Sequence, residues 1–186
     1  MNQINIIEAK DIYSREEYKN QRKKNRRVDI GQHITMYFEN KDTIIHQINE
    51  MVYIENGGDE QVKDEILAYK SLVPNGKELI ATVMVEIDNP VKRSDFLKKM
   101  GGFEETFNLV VNENKIDGKA ELDVDRTTAD GKASSVQFVH FQLDELLVKN
   151  FRSLNADVSI SINHSNYMHS TRLNQEIIKE LSYDFT

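Results

Sequence analysis

The chain has 186 residues, a formal net charge of −7 at pH 7 and no cysteine. This length suits one domain (1-186), because a chain of such size buries about 70% of the surface that its unfolded form exposes. The lack of cysteine excludes disulfides, iron–sulfur ligation, thiolate zinc sites and a cysteine nucleophile. No apolar run reaches the roughly 20 residues of a membrane span, and the amino terminus lacks the features of a signal peptide, so we expect a cytoplasmic protein.

The first predicted element is a basic surface helix (10-27), which precedes an α+β body (28-186). Residues 10–27 carry eight basic and three acidic side chains, whereas the remainder of the chain is acidic. Ser14 can cap the helix, and Glu17 is placed for a capping box. Such a segment can bind nucleic acid or an acidic partner, or it can be a solvated amphipathic helix. The nucleic-acid hypothesis uses Arg22, Lys23, Lys24, Arg26 and Arg27.

Hydrophobic periodicity and capping residues predict the elements that follow. In chain order they are a strand at 28–38, helices at 43–55 and 59–72, a strand at 79–87, a helix at 90–100, strands at 103–111, 120–124 and 134–143, a helix at 144–153, a strand at 158–162 and a helix at 174–183. Asp42 or Thr43 is the expected cap of the first of these helices. Strand 134–143 is apolar on both faces and is therefore expected to be central. One-sided alternation and short connections predict an α+β fold with a mostly antiparallel sheet and helices packed on one face.

The predicted helix 43–55 carries the polar residues of a candidate ligand site. Gln47 and Glu50 lie about one turn apart on its shoulder, and Glu55 lies within its apolar arc. A ligand needs groups from separate elements, which we expect from the preceding strand, the central strand and the segment 163–169. The alternative is that Glu50 only hydrogen-bonds to a neighbouring strand and holds the helix in place. The ligand-binding candidates are Glu39, Asn40, Gln47, Glu50, Glu55, Gln137 and Tyr167.

Three histidines are candidate ligands of a non-thiolate metal such as iron or zinc. His140 lies on the predicted central strand, and His164 and His169 lie in a predicted loop. Together with a glutamate they could form a metal site. The alternative is that His140 is a hydrogen-bonded core residue, and the separation of His164 from His169 is not the one-turn spacing of a zincin motif. The sequence has no glycine-rich dinucleotide fingerprint, phosphate-binding loop or nucleophile elbow.

Several motifs occur together in this sequence: Phe38-Glu39-Asn40, Thr43, Gln47, Glu50-Met51, Glu55, Arg26-Arg27, the turn around Pro74, Ser134-Ser135-Val136-Gln137-Phe138 and the segment from His164 to Tyr167. They resemble the signature of an uncharacterised bacterial family, domain of unknown function 3501. The resemblance spans nearly the whole chain. Genes of this family tend to lie beside those for rubrerythrin-like and iron–sulfur oxidoreductase-like proteins, which the resemblance therefore implies as possible partners.

The leading functional hypothesis combines the candidate site with this resemblance. We expect an accessory protein that binds a ligand or metal in a bacterial redox or oxidative-stress system. The first alternative is a cysteine-independent, metal-dependent enzyme with His and Glu ligands. The second is a nucleic-acid-binding protein that uses the basic segment Arg22 to Arg27.

Overall fold

The structure is a computed structural model that describes residues 25–55, 58–121, 127–128 and 131–186, apart from the side chain of Asp59. Most of the predicted basic helix 10–27, with Arg22, Lys23 and Lys24, lies outside the described residues. So does most of the predicted strand 120–124. The predicted end of the basic helix was wrong, because residues 25–26 form a turn and Arg27 begins a strand.

The described residues form nine strands and five α-helices. The strands are β1 (Arg27–Ile30), β2 (Ile34–Glu39), β3 (Glu78–Val85), β4 (Phe107–Val111), β5 (Asn114–Asp117), β6 (Lys119–Ala120), β7 (Val136–Gln142), β8 (Val158–His164) and β9 (Tyr167–Arg172). The helices are α1 (Lys41–Ile54), α2 (Asp59–Tyr69), α3 (Pro90–Leu97), α4 (Glu145–Arg152) and α5 (Gln175–Ser182). Two 3₁₀ turns lie at Lys70–Leu72 and Phe103–Glu105.

The strands are arranged in two antiparallel sheets. The first sheet has the order β1-β2-β3-β7-β6, and the second has the order β5-β4-β8-β9. Every strand pairing between the named strands is antiparallel. The predicted α+β class and antiparallel pairing are thus confirmed. The finding beyond the prediction is the second sheet, because one-sided alternation does not reveal which other element covers the apolar face.

The main hydrophobic core fills the space between the two sheets. Its fully buried members include Met36, Ala81, Val139 and Phe141 of the first sheet and Phe107, Leu109 and Ile160 of the second. Phe151 of α4 and Leu181 of α5 belong to the same core. We call the side of the first sheet that faces this core its inner face.

Helices α1 and α2 cover the opposite side of the first sheet, which we call its outer face. Ile44 and Ile48 of α1 pack with Val62 of α2 and Ile80 of β3 in a separate, smaller core. Asn40 caps α1, since its side chain accepts a hydrogen bond from the Thr43 backbone and the Thr43 side chain accepts one from the Asn40 backbone. The predicted cap at Asp42 or Thr43 was therefore wrong, and Thr43 is the third helical residue of a capping box.

The predicted strand 28–38 is two strands joined by a tight turn. β1 and β2 form a hairpin in which Val28 faces Met36 and Ile30 faces Ile34. Because paired residues lie on the same face of a sheet, the apolar alternation runs through the turn without a break. Gly31 has a φ of +72°, and a Cβ at this position would lie 2.5 Å from the Tyr167 hydroxyl. Glycine is therefore required at this turn.

Other predicted boundaries also differ from the structure. The predicted loop 163–169 is the β8–β9 hairpin, in which His164 pairs with Tyr167. The predicted strand 103–111 begins only at Phe107, after a 3₁₀ turn, and the connection that follows it contains β5. The predicted central strand 134–143 corresponds to β7, which lies in the interior of the first sheet between β3 and the two-residue β6. The middle strand of this sheet is β3. Within the described ranges, no helix has the length and apolar character that crossing a bilayer requires.

Candidate small-molecule pocket under α1

A cavity of about 390 Å³ lies between the start of α1, the end of α2 and the outer face of the first sheet. Its apolar lining includes Ile44, Leu72, Met84 and Val136, and its aromatic lining includes Tyr37, Tyr69 and Phe138. Its polar lining includes Glu39, Thr43, Gln47 and Thr82. The lining therefore combines a large apolar surface with a few polar groups, as small-molecule pockets do.

Glu39 supplies a carboxylate whose position is fixed by two hydroxyl groups. It is the last residue of β2, and Asn40, the cap of α1, follows it directly. Its Oε1 accepts a hydrogen bond from Thr82 Oγ1 at 2.7 Å, and its Oε2 accepts one from Thr43 Oγ1. The amino terminus of a helix also favours a nearby negative charge.

Two tyrosines line the cavity in an environment of negative charge. Burial raises the pKa of the Tyr69 hydroxyl, and the charges of Glu65 and Glu39 raise it further, although a hydrogen bond with Gln47 opposes them. Burial also raises the pKa of Tyr37, together with the hydrogen bond that Tyr37 donates to Glu86 Oε1 at 2.8 Å.

Arg26 also belongs to the cavity lining but is almost fully buried, with 2% of its side chain exposed. It donates hydrogen bonds to the backbone oxygens of Phe38 at 2.9 Å and Glu39 at 3.1 Å. It also forms ion pairs with Glu180 at 3.3 Å and with Asp184. In this arrangement Arg26 cannot reach a nucleic-acid phosphate, although the sequence proposes it for that role.

Arg27, the next residue, is 47% exposed and pairs with Asp29 at 3.0 Å and Glu86 at 3.4 Å. Its guanidinium lies 5.8 Å from the centre of the Tyr37 ring. Arg27 is therefore a solvent-facing residue that already has acidic partners.

The predicted ligand-binding residues of the α1 region separate into two groups. Glu39 and Gln47 line the cavity, and Asn40 caps α1 beside it. Glu50 lies elsewhere on α1, 3.3 Å from His46 Nε2. Glu55 is exposed beyond the end of α1 and accepts a hydrogen bond from Gln61 at 2.5 Å.

Gln137 and Tyr167 do not line this cavity. Gln137 pairs with Val83 in the first sheet, lies on the inner face and is fully buried. Tyr167 belongs to β9 of the second sheet, where its hydroxyl donates a hydrogen bond to the backbone oxygen of Ile30 at 2.6 Å. The structure thus places these two residues on the far side of the first sheet from α1.

The three predicted metal-binding histidines lie in separate surroundings. His140 Nδ1 is 3.2 Å from Glu78 Oε2, and the hydrogen bond to Glu78 is the main cause of the raised pKa of this histidine. His164 Nε2 is 3.3 Å from the backbone oxygen of Gly101, and the His169 ring is centred 4.3 Å from that of Tyr167. The described residues contain no group of three or more His, Asp or Glu side chains that could hold a metal ion.

Sequence reasoning missed Thr82, Tyr37 and Tyr69 as parts of the cavity. Thr82 interrupts the otherwise apolar strand β3, and that interruption was the available signal. Tyr69 ends α2, and only the packing of α2 against α1 brings it over the sheet.

The fold and the cavity together define an α+β protein with a ligand-sized pocket between a helical layer and an antiparallel sheet. The family model described as "Protein of unknown function (DUF3501)" matches residues 6–185, and the chain belongs to this family. The chain is also similar to a solved crystal structure, a protein of unknown function from Burkholderia pseudomallei K96243. The two are 28% identical with a TM-score of 0.86, and the match covers 99% of this chain and 100% of the other. No curated protein shows significant similarity to the chain.

Proposed function

We propose that this protein binds a small organic molecule in the cavity under α1 and acts as a ligand-binding accessory protein. One observation carries the proposal: the cavity joins a carboxylate held by two hydroxyl groups to a largely apolar and aromatic lining. Its volume of about 390 Å³ lies within the range of small-molecule sites.

The lining also supports binding over a purely structural role. A carboxylate that only joined β2 to α1 would not need an open, apolar space beside it. Here Glu39 lines the same cavity as Phe138 and Met84. A polar group beside apolar walls fixes the orientation of a ligand, while the walls supply most of the buried surface.

A screen of small molecules by ligand-observed NMR tests the proposal. We expect a subset of the molecules to bind the wild-type protein and to lose binding in Val136→Phe, because a ring at this lining position would occupy the cavity. Val91→Phe is the matched control, since Val91 is 67% exposed on α3 and is not part of the cavity lining.

Two measurements make this test decisive. Urea unfolding of both variants must show that the folded state persists, and native mass spectrometry of the untagged protein must look for a molecule that co-purifies. If every molecule that binds does so equally well in Val136→Phe and the wild type, the cavity is not the ligand site and the proposal fails.

We also propose that the ligand serves a redox or oxidative-stress system of the bacterial cytoplasm, with rubrerythrin-like or iron–sulfur oxidoreductase-like partners. The support for this setting is the family resemblance given by the sequence. Deletion of the gene should slow recovery from a peroxide challenge, and the wild-type gene should restore it while the Val136→Phe gene does not. Equal recovery of the deleted and parent strains would contradict the proposed redox setting. It would not bear on the proposal that the cavity binds a ligand.

A further inference from the structure

We infer that the cavity under α1 takes an organic cation, and specifically an ammonium group that carries alkyl substituents. This inference rests on the proposed function, because it names the class of molecule that the same cavity binds. It is based on charge, on the aromatic lining and on the apolar surface that the cavity offers beside the carboxylate.

The charge of the cavity favours a cation. Glu39 contributes a carboxylate that accepts hydrogen bonds from Thr43 and Thr82, which are both neutral. A carboxylate has about four acceptor positions, so these two hydroxyl groups leave it able to face a further positive group.

The basic side chains at the cavity have acidic partners, so they do not cancel this preference. Arg26 belongs to the lining and is paired with two carboxylates, those of Glu180 and Asp184, so the three groups together carry a net negative charge.

Arg27 lies 5.8 Å from the centre of the Tyr37 ring and is likewise paired with two carboxylates. His46 also lines the cavity, and its Nε2 lies 3.3 Å from Glu50 Oε1. Burial is the main cause of the raised pKa of the Tyr69 hydroxyl, and the nearby carboxylates raise this pKa further, which is consistent with a negative potential at the cavity.

Three aromatic rings line the same space as Glu39. They belong to Tyr37 of β2, Tyr69 of α2 and Phe138 of β7, so they come from different elements around the cavity. The face of an aromatic ring carries negative charge density and attracts cations. Aromatic rings grouped around one space are the arrangement by which proteins recognise quaternary ammonium ligands.

The remaining lining favours an alkylated ammonium over a bare one. A primary ammonium has three N–H donors, and each must find an acceptor when it leaves water. Leu72, Met84 and Val136 offer apolar surface instead of oxygen acceptors at their positions. Methyl groups on the nitrogen remove the donors and contact this surface favourably.

Three probes of nearly equal shape test the inference. Choline is a cation, 3,3-dimethylbutan-1-ol replaces its nitrogen by carbon, and 3,3-dimethylbutanoate is an anion. By isothermal titration calorimetry or ligand-observed NMR, we expect choline to bind at least about tenfold more tightly than the neutral alcohol, with the anion weakest. Ammonium chloride serves as the probe for a bare ammonium and should bind more weakly than choline.

Two variants test whether the preference for a cation depends on Glu39. Glu39→Gln keeps the shape and one acceptor oxygen but removes the charge, so choline affinity should fall about tenfold while that of the alcohol changes little. Glu113→Gln is the matched control, because Glu113 is exposed in the turn between β4 and β5. Choline binding should not change in this variant.

The outcomes separate this inference from the proposed function. If the alcohol or the anion binds as tightly as choline, and Val136→Phe abolishes that binding, the cavity is a ligand site but the cation inference is overturned. If choline binds with no dependence on Glu39, the inference is also overturned. If no molecule binds in a manner sensitive to Val136→Phe, the proposed function itself fails.

Discussion

The two faces of the first sheet are built from the same strands but are covered differently. On the inner face, Ala81 and Val139 are completely buried against the second sheet. On the outer face, Thr82 and Phe138 are only half-buried under α1 and α2, and Met84 is 37% exposed. The sheet therefore presents a closed core on one side and an open cavity on the other.

This difference in covering explains why the cavity lies on the outer face of the sheet. Two sheets can interdigitate along their whole length, which leaves few voids between them. Two helices of limited length cannot cover a five-stranded sheet completely. The uncovered part collects the polar side chains Tyr37, Glu39 and Thr82, whose positions alternate with those of the inner residues along β2 and β3.

The largest effect on stability is expected when one phenylalanine on each face of β7 is truncated. Phe141→Ala should cost about 3–5 kcal/mol of unfolding free energy, because Phe141 is completely buried on the inner face. Phe138→Ala should cost less, roughly 1–2 kcal/mol, since the ring borders a cavity and loses fewer contacts. Urea unfolding measures both values. Equal losses would mean that the outer face is packed as tightly as the inner one.

The next test concerns Arg26, which joins the end of β2 to the acidic residues Glu180 and Asp184. Arg26→Met should lower the unfolding free energy by about 3 kcal/mol, because it removes a buried cation that pairs with Asp184, whose side chain is 5% exposed. Arg27→Met is the neighbouring control and should cost less than about 1 kcal/mol, since Arg27 is a surface ion-pair partner. A comparable loss in both variants would show that burial of Arg26 does not determine its contribution.

The contrast between Arg26 and Arg27 also shows how far the sequence could predict the site. Both occur in one run of basic residues, and nothing in that run distinguishes the buried arginine from the exposed one. The distinction depends on Asp184, which lies 158 positions further along the chain. Contacts of such separation are set by tertiary packing and leave no local pattern.

The alternation of β2 and β3 and the helix pattern of α1 correctly predicted the α+β class and the antiparallel sheet. Glu39 and Gln47 could be placed together because Asn40 joins the end of β2 directly to the start of α1. Gln137 and Tyr167 could not be placed in this way, since the sequence does not show which sheet a strand joins or which face of β7 meets α1. Local periodicity specifies elements, whereas the partner of each face is a non-local property.

The smallest expected effect is the pH dependence contributed by His140, which lies on the outer face away from the cavity lining. Glu78 Oε2 lies 3.2 Å from its Nδ1, Glu121 Oε1 lies 3.4 Å from its Nε2 without good hydrogen-bond geometry, and Lys119 is its strand partner on β6. The hydrogen bond to Glu78 raises the pKa of His140 above its ordinary value of 6.5, and burial opposes this. A raised pKa in the folded state means that protonation stabilises the fold. This stabilisation is fully present below 6.5 and is lost as the pH rises through the higher folded-state pKa.

We therefore expect the unfolding free energy of the wild type to fall more steeply than that of His140→Gln as the pH rises from 6.5 through the folded-state pKa, as measured by urea unfolding at a series of pH values. His164→Gln is the control for removal of a histidine and should leave the slope unchanged, since the hydrogen bonds of His164 among the described residues join backbone groups, a carbonyl oxygen and an amide. Parallel pH profiles for the wild type and His140→Gln would show that the two glutamates do not hold a proton on His140 in the folded protein.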